Sequence, residues 1–64
     1  MPYVNVKVKG ALSRDQKERI SQDITDSLEK HAGKPPKDTY IVFDEVPGQN
    51  WAVGGKLLEL SDSA

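Results

Sequence analysis

The stretch Thr39 to Val46 carries apolar side chains on both of its faces, and that feature constrains the fold more than any other. Tyr40 and Val42 project to one side of the extended chain, and Ile41 and Phe43 project to the other. Successive residues of a strand alternate between faces, so a strand of this kind must be covered twice. Only one segment of the chain has helical periodicity. It can shield one face, and the second face is left for another molecule.

Length sharpens the point. The chain has 64 residues, read as one domain over 1–64. A chain near this size buries only about 60% of its unfolded surface and is marginal as a monomer. Disulfides, a metal or a partner subunit usually make up the difference. There is no cysteine, and the single histidine, His31, cannot build a zinc site alone. Disulfides, thiolate metal sites and a zinc site are therefore excluded, and oligomerisation is the stabiliser that remains.

Charge excludes other classes. Nine basic and 10 acidic residues are interleaved, for a net charge of −1, with no basic stripe of the kind nucleic acid requires. Apolar runs are far too short to span a membrane, and the start lacks a signal-peptide hydrophobic region. A cytoplasmic protein without nucleic-acid or membrane partners is the expectation.

Tyr3 to Lys9 alternates, with Val4, Val6 and Val8 on one face, as a half-buried strand does. Ser13 and Gln16 have the spacing of a helix capping box, and Asp15 suits the first turn. The spacing predicts a helix from Arg14 to about Ala32, with Ile20, Ile24, Leu28 and Ala32 in one row. Lys30 and His31 compensate the dipole at its end, Gly33 fits the left-handed cap, and Pro35-Pro36 forbid continuation. After the second strand, Pro47-Gly48 reads as a turn and Trp51–Gly55 as a short extended piece. Leu57, Leu58 and Leu60 lie on a tail suited to docking on a neighbour. The fold class is α/β, a single β-α-β unit with parallel strands, and such crossovers are right-handed.

Candidate chemistry begins at Pro2. Initiator methionine is generally removed before a small residue, which leaves Pro2 as a secondary amine. An α-amino group titrates near about 7.7–8.0, and desolvation lowers that further, so it can act as a general base. Position alone equally suits a proline that merely starts an edge strand. Trp51 is either a packing residue or an apolar wall that keeps an amine neutral. Arg14 and Lys37, cations near element ends, are either solvated charges or carboxylate ligands. Gly54-Gly55-Lys56 is no phosphate loop, because Asn50 and Leu57 stand where glycine and a hydroxyl residue are needed.

The Met-Pro start on a strand, the Ser-x-x-Gln-Lys helix opening and the Lys-Pro-Pro linker come in one order. The Asp-Glu-Val strand end and Trp-Ala-Val-Gly-Gly follow them. Together these resemble the short subunits of the 4-oxalocrotonate tautomerase family over residues 2 to 58. The resemblance implies a cofactor-independent isomerase in which Pro2 moves a proton from an enol or dienol hydroxyl to carbon. The substrates it implies are 2-hydroxy-dienoates and enols of 2-keto acids. It implies a homo-oligomer in which paired two-stranded sheets form dimers and three dimers form a hexamer, a dimer being the smaller possibility. Trp51 matches an aromatic wall position, and Gly54 and Gly55 match the glycines of the C-terminal turn. Leu12 and Tyr40 stand where the founding member has carboxylate-binding arginines. Those departures imply a more apolar pocket suited to a monocarboxylate or aryl substrate, with Tyr40 as hydrogen-bond donor and Arg14 as the substitute cation. Proline-assisted hydration, as in dehalogenase relatives, is an alternative within enzymes. A small-ligand-binding oligomer without catalysis is the alternative outside them, and the two missing arginines favour it.

Overall fold

The computed structural model describes residues 1–58. Strand β1 (Tyr3–Lys9) leads to helix α1 (Arg14–Ala32), and strand β2 (Tyr40–Val46) returns beside β1 in parallel. Short 3-10 turns at Pro36–Asp38 and Gly48–Asn50 flank β2, and a small hairpin of β3 (Ala52–Val53) and β4 (Lys56–Leu57) follows. Fold class, strand direction and the bounds of α1 agree with the sequence expectations.

Local chemistry accounts for the helix. The Ser13 hydroxyl accepts the Gln16 N–H at 3.1 Å, and the Gln16 side chain accepts the Ser13 N–H at 2.9 Å, so the capping box is closed. At the other end Gly33 takes φ 66°, where its N–H reaches the Glu29 carbonyl at 3.0 Å. The Gly33 N–H also faces the Leu28 carbonyl, so the αL cap closes with 5→1 and 6→1 contacts, and the Lys34 N–H adds a bond to Leu28 at 3.2 Å.

Register decides which side chains share a face. Val4 lies opposite Ile41, Val6 opposite Phe43 and Val8 opposite Glu45. The five apolar residues of that face are half-buried, and so are Ile20, Ile24 and Leu28 of α1. The Lys17 ammonium meets the Glu45 carboxylate at 3.0 Å, which identifies this as the helix-covered face. Lys17, Ser21 and Thr25 are also half-buried, so the shielded stripe is wider than its apolar members. Ala32, expected to extend the row, is exposed because the helix ends beyond the sheet's shelter.

The opposite face is open. Tyr3 is 59% exposed, Tyr40 54% and Val42 44%, and among the described residues no hydrophobic side chain is fully buried. Within a single chain α1 covers one face of β2, and the other stays open. Among the described residues no helix is long and apolar enough to cross a membrane.

Three details differ from the sequence expectations. Thr39 closes the Pro36–Asp38 turn, its N–H on the Pro36 carbonyl at 3.1 Å, so β2 starts one residue later. Pro47-Gly48 continues into a 3-10 turn through Asn50. The segment read as a short extended piece is half of a hairpin: Gly54 and Gly55 take φ 61° and 84°, the pair of positive values that a two-residue turn between twisted strands demands. That turn places Leu57 and Leu58 exposed on the surface, while Leu60 lies outside the described residues.

Because the capping box satisfies two otherwise orphaned helix groups, Ser13→Ala is expected to destabilise the fold by about 1 kcal/mol. Denaturant titration at fixed chain concentration reads this, and an unshifted midpoint would show that the cap contributes nothing.

Candidate active site

The predicted site residues fall at two ends of the sheet. At the end where both strands start, Pro2 is half-buried and its carbonyl accepts the Tyr40 N–H at 3.0 Å. That bond extends the ladder by one residue and holds the proline ring in line with β1, not on a loose terminus. Met1 is 81% exposed beyond it. Tyr40 lies beside Tyr3 in register, both on the open face.

Farther along that face stands a polar cluster. The Lys7 ammonium meets the Asp44 carboxylate at 2.7 Å, and the Asn5 amide bonds the Tyr3 hydroxyl at 3.3 Å. The hydrogen bond from Lys7, and next its charge, hold the Asp44 carboxyl below its ordinary range, with a smaller contribution from Asn5; desolvation opposes them.

At the other end of the strands lie Leu12, Arg14 and Trp51. Gly10 turns the chain out of β1 with φ 83°, and its N–H bonds the Val46 carbonyl at 3.0 Å. The Trp51 indole N–H bonds the same carbonyl at 3.1 Å, fixing the half-buried ring over the end of β2. Leu12 is pinned through its backbone: its N–H bonds the Glu45 carboxylate at 2.7 Å. That bond, followed by the one from the Lys17 side chain, holds the Glu45 carboxyl below its usual range against the opposing effect of burial. Arg14 turns along the helix to pair with Glu18 at 3.0 Å, and its side chain is 94% exposed.

One chain therefore brings Pro2 together with Tyr40, and Leu12 together with Trp51, but does not join the two groups. Parallel strands have their starts together and their ends together, and at ~3.3 Å per residue the length of β1 keeps the groups roughly 20 Å apart. An open groove lies elsewhere again, along α1, lined by Arg14, Lys17, Ser21, Thr25 and Pro36 among others. Among the described residues no group of three or more His, Cys, Asp or Glu side chains could hold a metal ion.

Glu45 and the Val46 carbonyl were not singled out from the sequence. A signal for Glu45 was present: strand alternation puts it on the same face as Ile41 and Phe43, where an unpaired charge is costly. A backbone carbonyl offers no such signal.

Residues 2–61 match the model of the family described as tautomerase enzyme. A probable tautomerase of Ralstonia nicotianae is 37% identical over 57 residues, covering 89% of this chain and 88% of the relative. Among solved structures, YwhB, a homologue of 4-oxalocrotonate tautomerase, superposes with a TM-score of 0.83 at 26% identity, over 89% of this chain and 93% of that one. A heterohexamer 4-oxalocrotonate tautomerase from Chloroflexus aurantiacus has the same fold, with a TM-score of 0.81 at 22% identity over 95% and 100% of the two chains.

The Lys7–Asp44 contact makes a titration prediction. A carboxyl with a lowered folded-state pKa adds stability above its unfolded pKa and loses it as pH falls through the folded value. In Lys7→Met the Asp44 midpoint should therefore rise towards the ordinary carboxylate value, and the stability it contributes above its unfolded pKa should shrink. Carbon-detected NMR titration of the Asp44 carboxyl measures it, and an unmoved midpoint would deny Lys7 the role.

Proposed function

The chain belongs to the tautomerase family of isomerases, and from that premise we propose that it interconverts enol and keto forms of 2-keto acids or 2-hydroxy-dienoates with Pro2 as general base. The observation that carries this reading is the anchoring of Pro2: half-buried, in line with β1, and held through its carbonyl by Tyr40. With Met1 gone, its nitrogen is a secondary amine on a rigid strand. Partial desolvation lowers the pKa of that amine towards neutrality. The neutral amine takes the enol O–H proton, the O–H electron pair becomes the carbonyl π bond, and the former C=C pair takes a proton back from the proline ammonium at carbon. No cofactor enters this proton balance. The reaction suits a protein of the cytoplasm.

The pocket in this proposal is shared between copies. A twofold pair joined along free sheet edges runs the strands of one copy antiparallel to those of the other. The Leu12 and Trp51 end of one chain then approaches the Pro2 and Tyr40 end of its partner. Trp51 excludes water from the amine, and the Tyr40 phenol donates to the substrate carbonyl or carboxylate. Such pairs still expose Tyr3, Tyr40 and Val42 on the second face, and packing three of them together covers it, giving a hexamer. Unpaired strand edges and a bare apolar face both favour assembly. The hexameric state named for the Chloroflexus aurantiacus protein accords with this.

A second reading is a ligand-binding oligomer without turnover. It draws support from Arg14, whose pairing with Glu18 leaves neither Leu12 nor Tyr40 with an arginine substitute in this conformation.

Two measurements test the proposal. On phenylenolpyruvate, activity should fall in the order des-Met wild type, des-Met Pro2→Ala, Met1-retaining protein, because alanine keeps a mobile primary amine while an amide has no basicity. Proton transfer by a positioned base contributes about 10²–10⁴-fold, which sets the size of the largest drop. Equal rates with and without Met1 would transfer the case to the binding reading. In sedimentation at micromolar concentration the wild type should run as a hexamer and Val42→Glu as a smaller species, and a folded wild-type monomer would rule out the shared pocket.

A further inference from the structure

We infer that Glu45 is a positioning residue for the site: its carboxylate holds the backbone of Leu12 so that Leu12 and Trp51 form one rigid wall. This rests on the reading that those two residues line the pocket.

Four hydrogen bonds converge on two consecutive residues at the end of β2. One Glu45 oxygen accepts the Leu12 N–H at 2.7 Å and the other accepts the Lys17 ammonium at 3.0 Å. The next carbonyl, that of Val46, accepts the Gly10 N–H at 3.0 Å and the Trp51 indole N–H at 3.1 Å. The loop from Gly10 to Leu12, the first turns of α1 and the Trp51 ring are thus referred to a single dipeptide. Movement of one member without the others breaks a bond.

Glu45 occupies a position where packing alone would favour an aliphatic side chain. Its register partner is Val8, and Ile41 and Phe43 precede it on the helix-covered face. Glu45 stands at the exposed end of that row, and both of its oxygens are engaged. The bond to Leu12 is charge-assisted and short, and it is made to backbone, so it fixes the chain whatever side chain stands at position 12. Both contacts are solvent-accessible; the one to Leu12 is the shorter, and the Lys17 pair holds a long side chain at an entropic cost that limits its weight. The assignment therefore separates two functions of one side chain: the oxygen on Leu12 positions the wall, and the oxygen on Lys17 ties down the helix.

The test uses des-Met oligomer, with phenylpyruvate as the ligand and quenching of Trp51, the single tryptophan, as the signal. Loss of sub-ångström positioning is expected to weaken binding by on the order of 10- to 100-fold in Glu45→Ala. Glu45→Gln, whose amide oxygen still accepts the Leu12 N–H, should bind within a fewfold of wild type, and so should Lys17→Met. Hydrogen exchange at the Leu12 amide should accelerate in Glu45→Ala and stay slow in Glu45→Gln. In kinetics the loss should appear mainly in KM, with the pH midpoint assigned to Pro2 unmoved. Unchanged Leu12 exchange or unchanged phenylpyruvate affinity in a folded Glu45→Ala oligomer would overturn the inference. So would a loss in Lys17→Met as large as that in Glu45→Ala, because the ion pair would then be the operative contact. Wild type that binds phenylpyruvate but turns over no enol defeats the catalytic reading alone. The affinity and exchange measurements decide the role of Glu45 in either case.

Discussion

The parallel pairing of β1 with β2 is the constraint from which the rest follows. Parallel strands cannot be joined by a tight turn, so the chain must cross over, and α1 is that crossover. The helix lies on the face built by Val4, Val6, Val8, Ile41 and Phe43, where Lys17 reaches Glu45. The same pairing puts Pro2 beside Tyr40 and puts Gly10 beside Val46. A parallel two-stranded unit therefore has two chemically different ends: one presents the proline, and the other presents Leu12 and Trp51. Neither is a complete pocket.

Economy of chain length leads to the same place. One helix of 19 residues covers one face of two seven-residue strands, and the chain has no second helix for the other face among its described residues. What lies there is mixed: Tyr3, Tyr40 and Val42 near the start of the strands, then the Lys7–Asp44 pair towards their ends. Apolar area at one end favours contact with further copies. The charge pair at the other end sets the geometry in which such contact is tolerated, since it must stay paired to be covered cheaply. A single chain thus leaves both an apolar face and its strand edges open to contact.

At the start of the strands Pro2 has little freedom. Its ring fixes φ, and its carbonyl is bonded to the neighbouring strand. At the far end, Trp51 is held by its indole N–H and Leu12 by its backbone N–H. Apolar groups supply the surfaces and polar bonds supply their orientation.

Residues within a few positions of each other determined much of this protein. The capping box of Ser13 and Gln16, the glycine stop at Gly33 and the alternation of Val4, Val6 and Val8 depend on short-range sterics and hydrogen bonding, so they can be read in order along the chain. The place of Pro2 at the start of β1 was legible for the same reason. Other features depend on partners distant in sequence. Tertiary structure decided that Arg14 turns to Glu18 in place of Leu12's neighbourhood, that Glu45 faces Leu12 and Lys17, and that the Val46 carbonyl gathers Gly10 and Trp51. It also separated Trp51 from Pro2 by the length of a strand. Motif order along a sequence does not give these separations, because strand direction, and not sequence spacing, sets the distance between strand ends.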